Sequence, residues 1–421
     1  MDSNLSTSKG LTTRSVGVLV DGFDTWGGGL DFIRLILNGL VIDPDTRVCL
    51  MIPRATMKAE LRMLGGGIRQ SLLALLQGRF RWMYRGRLKP SKLADGFSDF
   101  GNLITFHFYR NTRSGLIRAL EKSEVGVVMP SISVLGRDFP LPWVGYVFDF
   151  QHRALPQLFD EHESIRRNAL FTDMLDNAEV VLVNSEAVRS DAEHYYPGTA
   201  RKIVCMPFAP SPRPEWLDLI PAHAQERYAT GSRYFMVSNQ FWVHKDHVTA
   251  IRAFAVFSAT GASDARLVCT GSPHDFRAPG HADNIRGLMA ELGLVDKVML
   301  LGHIPKIDQI GLLRGAISLI QPTLYEGGPG GGAVYDAIAV GVPVLVSDIP
   351  VNREIRGGDC RFFPPGDPQA LAELMREIAS TQMPRLGRDE LLTHAQAGLR
   401  RLNEALRTAM ERATPACRHG C

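Results

Sequence analysis

The 421-residue chain contains no run of 18 or more apolar residues, which argues against a membrane-spanning helix. Residues 1–14, MDSNLSTSKGLTTR, lack the apolar core of a signal peptide, so the chain is expected to stay in the cytoplasm. Cysteine is sparse and scattered. Cys49, Cys205 and Cys269 each lie in an apolar, strand-like run (RVCLMI, IVCMPF, LVCTG), as buried free thiols do, which fits a reducing compartment. Cys417, His419 and Cys421 have metal-ligating chemistry, but crowded at the terminus they read as a frayed tail. An excess of one charge is also missing: 47 Lys+Arg against 44 Asp+Glu leave a net charge of +3, which argues against wholesale nucleic-acid binding. The local exception is a stretch without acids between Glu60 and Asp95, where eight basic residues alternate with leucines and aromatics. Its core, residues 68–92, suits an anionic membrane surface, and it equally suits a basic helix packed on its own domain with its charges in water.

What is present in quantity is alternation. Short apolar runs separated by longer amphipathic stretches predict parallel sheets with crossover helices, and the pattern occurs twice. SVGVLVDG, TRVCLMI, VGVVMP, WVGYVFD, EVVLVNS and KIVCMPF form a first series. YFMVSN, RLVCTG, KVMLLGHI, AISLIQP, VPVLVSD and CRFFPP form a second, after a stretch rich in proline and polar residues. The predicted organisation is a flexible terminus (1–14), a doubly wound domain (15–210), a linker (211–232), a second doubly wound domain (233–383), and a terminal helix and tail (384–421). Ligands of such sheets bind beyond the carboxyl ends of the strands, so function is expected in the loops that follow them.

One such loop stands out in PTLYEGGPGGGAVYDAIAVGVPVLVSD, residues 322–348. Gly327, Gly328, Gly330 and Gly331 follow a strand and open a helix, where unpaired N–H groups and the positive end of the helix dipole favour an anion. Glu326 and Asp336 flank the loop, and carboxylates beside a phosphate site are best explained as acceptors for paired sugar hydroxyls. Together these features point to a nucleotide sugar. Here the chain resembles the retaining glycosyltransferase family 4, whose architecture, GT-B, has two Rossmann-like domains facing across a cleft. The resemblance covers most of the sequence. The family's motif separates two acids by seven residues, whereas nine separate Glu326 from Asp336, and the second acid is shortened.

The resemblance implies roles for further residues. In YFMVSNQFWVHKDHVTAIRAF, Lys245 matches the second of two basic residues that grip the donor's diphosphate, and Asn239 stands where the family usually has Arg. His244 and His247 have a spacing compatible with metal binding but no accompanying acids, and a helix face explains them. Gly27 and Gly28 resemble the N-terminal glycine loop beside donor phosphate, although a tight strand-to-helix turn alone would also need them. His152, in FDFQHRALP, resembles the histidine near the reacting sugar, with a structural histidine as the alternative. Ser185 is either part of a polar strand end or only a helix N-cap. Gly271, His303 and Ile304 fall in loops that hold the donor nucleotide in relatives, leaving the base open between uridine and guanosine.

The function expected is transfer of a hexose, mannose slightly favoured, from a nucleotide diphosphate sugar with retention of configuration. His152, Glu326 and Lys245 are the catalytic candidates. No cofactor and no essential metal is expected, and the acceptor implied is a saccharide, lipid-linked or a cell-surface polysaccharide precursor. Several rivals fit less well. The spacing in DGFDTWGGGLD does not match the G-x-G-x-x-G of a dinucleotide-dependent oxidoreductase. Phosphorylase relatives need a pyridoxal lysine motif that is not found, while a nucleotide-sugar epimerase on the same fold stays open. Asp43-Pro44-Asp45 superficially resembles a metal-binding acid pair but lies in a turn between helix and strand. A sugar-nucleotide binder without turnover is kept open by the altered acid spacing and the absent arginine.

Overall fold

A computed structural model describes residues 14–25, 28–54, 89–259, 264–381 and 385–414. Gly27, the terminal Cys417, His419 and Cys421, and all of the basic segment 68–92 except its last four residues lie outside the described residues. Among the described residues, thirteen strands form two sheets. The first sheet comprises β1 (Arg14–Leu19), β2 (Thr46–Arg54), β3 (Ile104–Arg110), β4 (Val127–Ser131), β5 (Trp143–Tyr146), β6 (Val180–Val183) and β7 (Ile203–Cys205) in the order β3-β2-β1-β4-β5-β6-β7. The second comprises β8 (Tyr234–Ser238), β9 (Arg266–Thr270), β10 (Val298–Gly302), β11 (Leu319–Gln321), β12 (Val344–Ser347) and β13 (Cys360–Phe363) in the order β10-β9-β8-β11-β12-β13. Pairing is parallel, with Val16 opposite Val48 and Phe235 opposite Leu267. Both orders are doubly wound: the strand sequence runs outward one way from β1 or β8, then reverses at β4 or β11. This is the α/β architecture expected from the sequence.

Helices cover both faces of such sheets, so the strands are apolar on both sides. In β8 the side chains alternate between two cores. Phe235 and Val237 pack with Phe254, Leu267 and Met375, while Tyr234 and Met236 pack with Leu313, Val334 and Ile338. The helix Gly29–Leu40 buries Phe32, Ile33, Ile36, Leu37 and Leu40 at helical spacing and leaves Asp31 exposed. β3, absent from the apolar runs recognised in the sequence, is the edge of its sheet. Only Ile104 and Tyr109 are buried, so Thr105, His107 and Arg110 break up its hydrophobic pattern. Residues 211–232 hold a 3-10 turn (Pro214–Asp218) and the helix Pro221–Tyr228, with Trp216, Leu217 and Ala224 buried in the second core.

By contact density the chain divides into two compact units. One takes in the chain up to Tyr146, Met174–Val181 and the stretch from Leu406 on; the other holds Val147–Asp173 and Leu182–Ala405. No described helix is long and apolar enough to cross a membrane.

Candidate functional site

In the second unit, the two strands at the reversal point end in polar residues that bond to each other. Asn239 follows β8 and Gln321 closes β11, and the Asn239 amide donates to Gln321 Oε1 at 2.8 Å. Gln321 Nε2 in turn donates to Glu326 Oε1 at 2.9 Å, and the same oxygen takes a short hydrogen bond from Lys245 Nζ. Lys245 and Glu326 are only 13% and 10% exposed, so the pair is largely desolvated and its charges interact more strongly than surface ions do. A polar relay Asn239–Gln321–Glu326–Lys245 therefore lies beyond the strand ends, where an open parallel sheet binds its ligand. Gln321 was not picked out from the sequence. The signal was available, as a buried amide closing an otherwise apolar strand.

The glycine loop runs from this relay into the helix Gly331–Ala339, capped by Gly330 in the left-handed region. Its glycines have different reasons. A Cβ on Gly327 would collide with the Phe148 carbonyl oxygen and stand 2.8 Å from Asp149 Cβ, and one on Gly328 would lie 2.8 Å from the Phe208 ring. Those two glycines make room for the protein itself. Gly331, at φ +65°, sits under the Glu326 carboxylate, whose oxygens lie 3.5–3.6 Å from where its Cβ would be. The carboxylate thus rests beside the positive end of the helix. The amide of Gly330 is satisfied by Asn352 Oδ1 at 2.9 Å, whereas Gly332 is exposed with open space where a Cβ would go. Further contacts fix the loop: Phe150 N–H donates to Tyr325 Oη at 3.0 Å, and Ser185 Oγ donates to the Gly327 carbonyl at 3.2 Å. Ser185 is also the N-cap of the helix Glu186–Tyr195, accepting from Val188 N–H at 3.0 Å.

Asp336, on the helix Gly331–Ala339, is paired with Lys306 at 2.6 Å, and the Lys306 ammonium also lies 5.6 Å from the centre of the Trp216 ring. Lys306 is a second residue the sequence reading passed over, although it lies two positions beyond Ile304. His303 is exposed and Ile304 buried. Gly271, after β9, approaches the β8 turn so closely that any Cβ would strike the Asn239 carbonyl, and its φ is +131°. In the first unit, Gly28 is the left-handed N-cap of the helix Gly29–Leu40.

Three histidines, His152, His244 and His247, are buried. His152, on the turn Gln151–Ala154, is 2% exposed; its Nε2 bonds to Asn168 Oδ1 at 2.9 Å and its Nδ1 has no partner. Burial lowers its pKa, only partly opposed by the Asn168 bond. In the Lys245 turn, burial drives His244 down to about 2, with Lys245 and Arg277 adding to the shift. His247 is fully buried, stacks on Phe241 at 4.2 Å, has both ring nitrogens unpartnered, and is held at about 3 by burial. His244 and His247 act as packing groups of the turn that carries Lys245.

The first unit has a cavity of about 200 Å³ at its own reversal point, beyond β1 and β4. Asp21, Asn111, Arg113, Ser131 and Ser133 supply polar lining, and Tyr109 and Phe139 supply apolar faces. Asn111 Nδ2 lies 3.5 Å from Asp21 Oδ1, and Arg113 is paired with Asp138 at 2.8 Å. A carboxylate, amide and hydroxyls beside aromatic rings form a lining suited to a hydroxyl-rich ligand.

Comparison with known proteins follows the same lines. Residues 221–390 match the family model of glycosyl transferases group 1. The O-antigen chain mannosyltransferase RfbU of Salmonella typhimurium is 26% identical over 145 residues, 34% of this chain and only 38% of that protein's length. Three solved structures share the fold across 95% of this chain. They are HepE of Anabaena in complex with UDP and glucose (TM-score 0.57, 13% identity, 95% of that chain), WaaG, a glycosyltransferase involved in lipopolysaccharide biosynthesis (0.54, 12%, 100%), and an alpha,alpha-trehalose-phosphate synthase (UDP-forming) of Burkholderia xenovorans (0.58, 12%, 99%). The resemblance to glycosyltransferases read from the sequence thus holds for the two-sheet fold and, over residues 221–390, for the group 1 family model.

Proposed function

We propose that this chain, whose residues 221–390 match the family model of glycosyl transferases group 1, moves a hexosyl unit from a nucleotide diphosphate sugar to a saccharide hydroxyl with retention of configuration. The observation that carries the reading is the relay Asn239–Gln321–Glu326–Lys245 at the reversal point of the second sheet. As the glycosidic bond to phosphate breaks, negative charge grows on the departing diphosphate and positive character on the sugar. Lys245 and the amides at the start of the helix Gly331–Ala339 stabilise the first. Glu326, held by Gln321 and Lys245, faces sugar hydroxyls as an acceptor, and Asp336 does so for the ribose once Lys306 yields. Neutral His152 accepts or donates a hydrogen bond near the reacting carbon without adding charge. This chemistry needs no metal.

The acceptor in this reading is a lipid-linked saccharide or a cell-surface polysaccharide precursor, and the cavity beyond β1 and β4 is its candidate seat. Mannose is favoured by the partial match to the O-antigen mannosyltransferase, and a guanosine donor follows from the family resemblance alone. The basic segment 68–92 would bring the protein to an anionic membrane surface. A second reading, binding of a sugar nucleotide without turnover, is favoured by the neutral Asn239 and the wider acid spacing. A panel of nucleotide sugars, scored first by thermal stabilisation and then by product anomer, separates the two. One donor should stabilise the chain and yield product of unchanged configuration; binding without product supports the second reading, and no binding across the panel removes both.

A further inference from the structure

Arg277 follows β9 in the run GSPHDFR, and its surroundings are unusual for a buried cation. Its side chain is 11% exposed. Nη1 donates to the neutral Gln151 Oε1 at 3.1 Å, while Nε is buried with no hydrogen-bond partner. The nearest carboxylate, Asp275, forms a loose ion pair with Nε at 3.7 Å, longer than a hydrogen bond, and only partly opposes the lowering of the guanidinium's pKa by burial. Its oxygens accept instead from two backbone N–H groups, those of Val243 at 3.2 Å and of Arg277 itself at 2.9 Å. The remaining neighbours are aromatic: Phe159, Trp242 and Phe276 have ring centres 4.9, 5.2 and 5.5 Å from the guanidinium carbon. Ring faces offset only part of the cost of removing a cation from water, and a hydrogen-bonded anion would offset far more. Arg167 supplies the contrast. It stacks on the same Phe159 ring at 4.7 Å, but its nitrogens are engaged by Glu163 at 3.0 Å and Asp149 at 3.3 Å.

Arg277 also borders the turn that carries Lys245. Trp242, beneath the guanidinium, accepts the Lys245 backbone N–H at 2.9 Å. The imidazole of His244 lies close enough to both cations for each to disfavour its protonation. Asn239, at the same turn, is neutral and donates its amide to Gln321.

We propose that Arg277 is a second cation of the anion site served by Lys245, and that it takes a phosphate of the bound nucleoside diphosphate. The inference rests on the nucleotide-sugar reading and adds a specificity residue to it. A planar donor with an unpartnered Nε suits a phosphate oxygen, and binding would complete the guanidinium's hydrogen bonding.

Titration calorimetry on the full chain with GDP, UDP, the matching monophosphates and nucleosides, at two salt concentrations, tests it. Arg277→Gln should weaken diphosphate binding about tenfold or more while nucleoside binding changes less than about threefold, and it should reduce the salt dependence. Arg277→Lys, which keeps the charge, should retain most of the diphosphate preference. Wild-type ratios in the Gln variant, or equal losses in both variants, overturn the assignment. Should the Gln variant fail to fold, Arg277→Met, which keeps an unbranched chain against the ring faces, takes its place: about a tenfold loss of diphosphate binding with nucleoside binding kept supports the role, and wild-type ratios refute it. If the unaltered chain binds neither diphosphate, the nucleotide-sugar reading fails and takes this inference with it; if it binds one and the ratio does not move in the variants, only the assignment to Arg277 fails.

Discussion

Acidification should weaken the second unit through His247, and the size of the effect follows from its burial. The ring is fully buried and stacked on Phe241, neither nitrogen has a partner, and burial keeps its folded pKa at about 3 against an ordinary value of 6.5. A histidine with a depressed folded pKa contributes stability that is complete above the unfolded value and is lost as pH falls below it, because the unfolded chain takes up a proton that the folded chain refuses. Between pH 7.5 and 5.5 the folded ring stays neutral while the unfolded one goes from about one-tenth to about nine-tenths protonated, which costs about 1.4 kcal/mol. His244, His152 and His281 are lowered by burial as well and act in the same direction, so the informative quantity is a difference. Urea titrations of the unaltered chain and of His247→Leu at both pH values isolate it. The variant should lose about 1.4 kcal/mol less on acidification, and at pH 7.5 its stability should match the parent within about 1 kcal/mol, since no hydrogen bond is removed. Equal acid losses in the two proteins would show that His247 titrates normally and that the packing of the Lys245 turn is misread.

Lys245→Ala should reduce turnover about 10²–10³-fold and lower stability by about 2 kcal/mol, because Glu326 is left with Gln321 alone. The pair Lys245→Met with Glu326→Gln should recover the stability in urea titrations but not the turnover. Gly327→Ala should cost about 1–3 kcal/mol by thermal melt, since its Cβ has no room against Phe148 and Asp149, whereas Gly332→Ala, in open space, should stay within about 0.5 kcal/mol. Turnover should persist in excess EDTA; a complete loss restored by added metal would contradict the chemistry assigned to Lys245 and the helix amides.

Much of the fold was readable because parallel strands covered on both faces are continuous apolar runs, and TRVCLMI and YFMVSN lie in β2 and β8 as expected. β3 escaped because an edge strand needs few buried residues and so writes little hydrophobic pattern. The glycine loop and Lys245 were legible from type and position, but the reasons for individual glycines were not. Gly327 and Gly328 are dictated by Phe148 and Phe208, far away in sequence. Lys306 and Arg277 matter through partners 30 and 126 residues away, and such pairings leave no local signature in a single chain, whereas Gln321, five residues before its partner, was legible as an amide closing an apolar strand.

The most direct test is a crystal structure with the nucleoside diphosphate that stabilises the chain most. A phosphate oxygen within hydrogen-bond distance of Lys245 Nζ, and another at the amides that open the helix Gly331–Ala339, is the predicted result. A diphosphate seated elsewhere, with the Lys245–Glu326 pair undisturbed and no phosphate touching the 326–333 loop, would contradict it.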